Sequence, residues 1–454
     1  MKRIHSTAGQ GITGRSMTLL AILLMLPAAW ASAGESLDAG MLTLADCVER
    51  ALKSNPGLRS SEMLMLESKE RIREARAGFY PSLSISASAG RYDYEGTGGA
   101  ALQTDRESYQ AGIYARYPLF EGFRRTAGTA AAEANFSAEE ERHRQNRRDL
   151  ELEVTNAYYL LLKAERLVGS AEKSSERSKV YLEYAEARFE NGLASRSDIL
   201  KAMVERSDAD LALIRARNGR LAAAGRLNVL MGRSAQNPVR IRDDLEAELF
   251  AFPEDSLAWQ TGVERLIEAA FRNRPDLVRV EELIEAQRAA LRVARSDYYP
   301  TVSLDGNYTY SGDDASDLRG GSYIGLSLSL PLFSGFSRPA RTARESLALR
   351  GLEQEHASLR HQASLEVWTA WLNVKEANER ILSNETFYEN AVENLRIAQG
   401  EYKEGMGSML DLLDAETALV TAEVSRIEAL ADFQISLAEL IRAVGTEDIE
   451  EVIR

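Results

Sequence analysis

Apolar and polar residues alternate in four short stretches of this chain and follow a helical period almost everywhere else. Leu83, Ile85, Ala87 and Ala89 alternate with Ser84, Ser86 and Ser88, while Ile324, Leu326, Leu328 and Leu330 alternate with Gly325, Ser327 and Ser329. A period of two marks a strand with one apolar and one polar face. Tyr109, Ala111, Ile113, Ala115 and Tyr117 form a third such stretch. Val302, Leu304, Tyr308 and Tyr310, opposite Ser303, Asp305, Asn307 and Thr309, form a fourth. Residues 122–191 and 335–404 are helical in composition, with Pro339 as their only proline, near a start where a helix tolerates it. Roughly seventy residues at about 1.5 Å each make a helix on the order of 100 Å long, more than a globular domain needs.

The pattern is written twice. Phe79-Tyr80-Pro81-Ser82-Leu83-Ser84 returns as Tyr298-Tyr299-Pro300-Thr301-Val302-Ser303, and Pro118-Leu119-Phe120-Glu121-Gly122-Phe123 as Pro331-Leu332-Phe333-Ser334-Gly335-Phe336. Pro56 and Pro275, like Pro81 and Pro300, are 219 residues apart. Pro118 and Pro331, Gly192 and Gly405, Asp198 and Asp411, and Gly232 and Gly445 are 213 apart. The six-residue difference falls in the loop joining two strands, so one helix-strand-strand-helix unit has been duplicated. Prolines fit poorly inside helices and central strands and therefore mark element boundaries. The expected organisation is a first repeat over 34–232, with a short helix, a strand hairpin at 82–118, a long helix at 122–191 and a short helix at 198–231. A linker over 233–261 leads to a second repeat over 262–445, with a hairpin at 301–331, a long helix at 335–404 and a short helix at 411–444, then a tail over 446–454. Two short helices stacked end to end match one long helix, as in the wall of a cylinder.

Strands of about ten residues, tilted, have the length that crosses a bilayer. Phe79, Tyr80, Tyr117, Phe120 and Phe123, then Tyr298, Tyr299, Phe333 and Phe336, crowd one end of each hairpin like an interfacial girdle. Polar, Gly-rich loops at 95–108 and 311–321 lie at the other end. Spacing alone leaves a soluble sandwich with one wet face as the alternative. Four strands cannot close a barrel, and an open edge is not tolerated in lipid, so a membrane barrel needs further copies. Dimer and trimer both remain open on spacing; three chains would give twelve strands.

Composition narrows the function classes. Lys2, Arg3 and Arg15, an apolar run from Met17 to Leu26 and Ala31-Ser32-Ala33 read as a cleavable secretory signal over 1–33. The apolar run is too short to span a membrane, and no other stretch approaches a transmembrane helix, so membrane contact falls to strands or a surface-lying helix. A formal charge of −14 argues against nucleic acid. The single cysteine, Cys47, excludes an intrachain disulfide and reads as a small buried side chain. His5, His143, His356 and His361 have no metal-ligand spacing, and no acid/base pair stands out. Gly9-Gln10-Gly11-Ile12-Thr13-Gly14 fits a nucleotide-loop pattern but lies within the signal and follows no strand. The reading is therefore neither an enzyme nor a cofactor protein. A periplasmic coiled-coil scaffold is the rival of another class, and it leaves the four alternating strands unexplained.

The paired Tyr-Pro and Pro-Leu-Phe-x-Gly-Phe motifs, together with Gly405-Met406-Gly407-Ser408-Met409-Leu410-Asp411-Leu412-Leu413-Asp414-Ala415-Glu416, give the chain its resemblance to the TolC family of outer-membrane efflux proteins. The likeness covers nearly the whole mature chain. It implies an α+β membrane protein: a homotrimer with a twelve-stranded outer-membrane β-barrel, four strands per chain, continuous with a long periplasmic α-helical barrel. It also implies docking to a periplasmic adaptor and an inner-membrane pump that supplies the energy, for small-molecule efflux or for type I protein secretion. Asp411 and Asp414 match aspartates that narrow the periplasmic entrance, and Tyr402 a residue that ties helices there. Threefold symmetry would crowd six carboxylates around one opening and raise some of their pKa values. Ser408-x-x-Asp411 and Ser195-x-x-Asp198 equally read as helix-capping boxes. Gly407 departs from the pattern, since an arginine often serves there, which implies either a different latch or a looser one. Gly192-Leu193-Ala194-Ser195 and Gly405-Met406-Gly407-Ser408 match the tips that meet the adaptor.

Overall fold

The computed structural model describes residues 41–92, 106–245 and 256–446. The signal, the nucleotide-loop pattern, most of the first Gly-rich loop, the centre of the linker and nearly all of the C-terminal tail lie outside the described residues. Among the described residues, eight helices and four strands follow in the order α1 (Leu44–Ser54), α2 (Pro56–Ala77), β1 (Ser82–Tyr92), β2 (Arg106–Glu121), α3 (Arg124–Glu190), α4 (Arg196–Leu230), α5 (Ser256–Asn273), α6 (Pro275–Ser296), β3 (Thr301–Gly312), β4 (Arg319–Ser329), α7 (Ser337–Glu404) and α8 (Met409–Val444).

The strands form one antiparallel sheet in chain order, with β1 and β4 as open edges. Leu83 faces Ala115, which faces Gly306, which faces Ile324, and the next level runs Ile85, Ile113, Tyr308. Cross-strand partners share a face, so the alternation read from the sequence becomes one apolar surface across four strands. Leu83, Ile85, Ile324, Leu326 and Leu328 are exposed on it. Ser84, Tyr114, Asn307 and Tyr323 lie level on the opposite face, where Arg116 pairs with Asp305 at 2.7 Å.

Pro118 does not end its strand as expected. β2 runs on to Glu121 through a register shift between Pro118 and Phe120, paired there with β3 alone. β1 starts only at Ser82, opposite Arg116, so at Pro118 one edge of β2 is already unpaired and a missing N–H costs nothing. The turn that follows places Gly122 and Phe123, and again Gly335 and Phe336, at φ between +59° and +65°. Both long helices therefore begin two residues after their expected starts, at Arg124 and Ser337.

The helix leading into each hairpin is broken at its proline. Asn55 caps α2, accepting from the Gly57 and Leu58 N–H groups, and Pro56 and Pro275 stand first in α2 and α6. Proline fits there because that N–H has no intrahelical acceptor. The helix opening the second repeat begins at Ser256, earlier than the expected 262.

Short helices do stack against long ones. α2 and α4 both pack along α3, α6 and α8 both pack along α7, and α3 packs on α6 and α8 as well. At the first splice the Asn55 amide donates to the Leu230 carbonyl at 3.0 Å; at the second, Arg274 donates to the Ala443 carbonyl at 3.3 Å. The cores beside the splices are copies too: Val154, Ala157 and Tyr158 in one correspond to Val367, Ala370 and Trp371 in the other, all buried. Residues 240–242 bridge to Leu42, and the Tyr158 hydroxyl donates to the Arg242 carbonyl at 2.9 Å, which fixes the start of the linker on α3. Among the described residues, no helix is long and apolar enough to cross a membrane.

Candidate functional site

Each long helix ends in the same turn. Gly192 and Gly405 take φ of +72° and +81°, a region open to glycine without steric cost. Leu193 N–H returns to the Arg188 carbonyl at 2.8 Å, and Met406 N–H to the equivalent Glu401 carbonyl at 2.9 Å. The chain reverses at once, which leaves Leu193 and Met406 pointing outward at 68% and 78% exposure. Ala194 and Ser195, then Gly407 and Ser408, lead into α4 and α8.

Both capping boxes read from the sequence are present. Ser408 Oγ donates to Asp411 Oδ2 at 2.7 Å, Ser408 N–H donates to the same oxygen at 3.1 Å, and Asp411 N–H donates to Ser408 Oγ at 3.2 Å. Ser195 and Asp198 repeat the arrangement. The Ser408 hydroxyl and backbone N–H hold the Asp411 carboxyl below the ordinary carboxylate range. Within one chain that is opposite to the rise expected from crowded like charges. Asp414, three residues on, is exposed, and where the first repeat carries Lys201 beside Asp198, the second carries this second acid.

Tyr402 is buried between α7 and α3, and burial pushes its phenol up. Arg188, from the last turns of α3, lies over its ring at 5.0 Å and donates to its backbone carbonyl at 2.6 Å. Sequence reasoning missed Arg188. It brings a guanidinium from another helix to the junction where Gly407 has only hydrogen. Tyr402 Oη and Arg188 Nε are buried with no hydrogen-bond partner among the described residues. A cavity of about 160 Å³, lined by Arg177, Tyr181, Gln399, Tyr402 and Lys403 among others, opens beside them.

A second cluster went unread. Glu416 is fully buried, takes Arg177 Nε at 2.8 Å and the Tyr181 hydroxyl at 3.0 Å, and thereby fastens α8 to α3. Gln399 of α7 donates to the same hydroxyl at 2.7 Å. The signal was available: Glu416 stands 213 residues after Met203, so an acid replaces an apolar residue between copies.

Known proteins carry the same layout. The family described as outer membrane efflux protein matches residues 47–233 and 266–446, one block per repeat. The outer membrane efflux protein BepC of Brucella suis is 23% identical, over 89% of this chain and 85% of its own. The alkaline protease secretion protein AprF of Pseudomonas aeruginosa is 26% identical, over 90% and 86%. The solved outer membrane protein VceC of Vibrio cholerae superimposes with a TM-score of 0.75 at 19% identity, over 89% of this chain and 96% of that one. The fold class expected from the sequence, a four-stranded sheet per chain joining a trimeric barrel that runs on into a helical tunnel, is the fold of these channels. With both repeats matched, this chain belongs to the outer membrane efflux protein family and is an export channel of the outer membrane that extends into the periplasm.

Proposed function

We propose that the channel is the passive exit duct of a tripartite machine for small-molecule efflux, working as a homotrimer with a periplasmic adaptor and an inner-membrane pump. The observation that carries this reading is the union of an open four-stranded sheet, apolar on one face, with helices of 67 and 68 residues. Such a chain is a conduit, and in this reading the energy comes from the pump. The exposed Leu193 and Met406 suit a docking contact with the adaptor, and the adjoining Gly192, Ala194, Ser195, Gly405, Gly407 and Ser408 shape the two tips. Asp411 and Asp414 narrow the periplasmic mouth as rings of carboxylate in the trimer, and Tyr402 with Arg188 holds the mouth closed. A ring of fixed negative charge in a narrow opening favours cations and binds multivalent ones.

Type I protein secretion is the second reading, favoured by the likeness to a protease secretion protein. Deleting the gene separates the two. Efflux predicts sensitivity to a panel of toxic compounds with an unchanged secreted-protein profile, whereas lost secretion at unchanged tolerance overturns the efflux reading.

A further inference from the structure

Charge is distributed unevenly along the axis of the sheet. The forty residues that adjoin the periplasmic ends of the strands, at 71–80, 122–131, 290–299 and 335–344, hold ten arginines, no lysine and two acids, Glu74 and Asp297. That is an excess of eight positive charges within a chain whose total is −14. At the opposite end of the sheet, the loop at 311–321 carries three aspartates and one arginine. Ten helical residues at about 1.5 Å each put the basic band within roughly 15 Å of the strands, which spans the headgroup layer and about one Debye length beyond it.

The two repeats treat these arginines differently. In the first, Arg73 pairs with Glu70 at 2.8 Å, Arg76 with Glu133 at 2.7 Å and Arg125 with Glu121 at 3.3 Å. The second repeat keeps all three arginines, as Arg292, Arg295 and Arg338, and none of the acids, which are replaced by Ala289, Ser346 and Ser334. Arg338 Nε donates instead to the Ser334 hydroxyl at 3.0 Å, a contact that brings no charge. Arg292 and Arg295 are exposed, and among the described residues no carboxylate pairs with any of the three.

These three guanidiniums share one groove. Arg125 lies over the Phe79 ring at 5.1 Å and donates to the Gly78 carbonyl at 3.4 Å; Arg338 repeats both contacts, over Tyr298 at 5.6 Å and to the Asp297 carbonyl at 3.3 Å. Tyr298 belongs to the aromatic girdle and is half exposed, so the Arg338 guanidinium is held at the level of the membrane interface. Arg295 and Arg292 precede Tyr298 by one and two turns along α6. An open cavity of about 510 Å³ between the end of α6 and the start of α7 has Arg338, Arg341 and Arg344 on its wall, with Asp297 as the acid. Arg124 and Arg341 already engage Asp297, and Arg344 engages Glu345, so the uncompensated charge there is that of Arg338.

We propose that the groove between α6 and the start of α7 binds the phosphate of an anionic phospholipid in the periplasmic leaflet of the outer membrane, with Arg338, Arg295 and Arg292 as the donors. Guanidinium suits this ligand, because its planar fork bonds two phosphate oxygens at once and an ammonium does not. The surroundings select a lipid over free phosphate. Leu332, Phe333 and Phe336, at 87%, 73% and 75% exposure, continue from the start of α7 toward the strands and give acyl chains an apolar wall. The first repeat has no such site, since Glu70, Glu121 and Glu133 occupy its arginines.

Native mass spectrometry of the full chain, released from nanodiscs of phosphatidylethanolamine and phosphatidylglycerol, tests the site. Phosphatidylglycerol should remain bound in preference to phosphatidylethanolamine, at one per chain. Ala289→Glu, Ser334→Glu and Ser346→Glu together restore the acids of the first repeat and should remove that preference, and Ser334→Glu alone should weaken it. Conversely, Glu70→Ala, Glu121→Ser and Glu133→Ser should open the matching groove of the first repeat and double the phosphatidylglycerol retained. Equal retention of the two lipids, or unchanged retention in the three-acid variant, overturns the site. Displacement of the lipid by millimolar inorganic phosphate would make this a free-phosphate site and overturns the lipid assignment. Acid variants that lose the oligomer while keeping their lipid give the groove to a second copy of the chain, which overturns it as well.

Discussion

Arg188 lies across the ring of Tyr402, its guanidinium carbon 5.0 Å from the ring centroid, and the same side chain donates to the Tyr402 carbonyl at 2.6 Å. A single residue of α3 thus covers a ring and satisfies a carbonyl in the last turn of α7. The two interactions together amount to roughly 1–3 kcal/mol. Arg188→Ala should therefore raise the conductance of channels reconstituted in planar bilayers. Arg188→Lys, which keeps the charge without the planar fork, should fall between. Wild-type conductance in the alanine variant removes Arg188 from the closure.

The carboxylates proposed for the mouth should answer to charge. Asp411→Asn with Asp414→Asn is expected to weaken block of bilayer conductance by multivalent cations while leaving monovalent current. Unaltered block would assign both residues to the start of α8 alone. Acid should affect the cap late. The folded carboxyl of Asp411 titrates below its ordinary 3.8, so its stabilisation is complete above that value and disappears as pH falls through the folded one. The gap in thermal stability between wild type and Asp411→Ala should stay constant from neutrality to about pH 5 and close only in stronger acid.

Fastening of α8 to α3 depends on both members of a buried pair. Arg177→Met strands the Glu416 carboxylate, which has no exposure of its own, and should cost roughly 3–5 kcal/mol, seen as a large fall in melting temperature. Adding Glu416→Met, the residue type the first repeat carries at Met203, should recover most of the loss. Equal melting of the single and double variants would show that the charge was never desolvated.

Cys47 is buried, and desolvation pushes its thiol up to about 12. A maleimide at pH 8 should leave the folded chain unlabelled and add one mass increment after unfolding, read by intact mass spectrometry. Fast labelling of the native protein would place Cys47 at the surface.

Whatever was local was legible in the sequence. Alternating residues gave the strands and their faces, Pro56 and Pro275 the helix breaks, and the Ser-x-x-Asp spacing both caps, because each depends on neighbours within a turn or two. The extension of β2 through Pro118 was hidden, since it depends on where β1 begins, more than thirty residues away. Arg188 was hidden for the same reason: its ring partner is 214 residues on, and nothing in its own helix marks it. Glu416 lay between these cases. No local pattern betrays a buried acid, but comparison of the two copies does.

The unpaired edges at β1 and β4 also have a kinetic consequence. Each chain can build its splices and helix pairs alone, yet its sheet can bury neither its edges nor its apolar face until lipid and two other chains arrive together. Maturation should then accelerate steeply with the local concentration of exported chains. Until then the waiting sheet, open at both edges, is a template for wrong pairing, so an exported chain is most vulnerable between release and assembly.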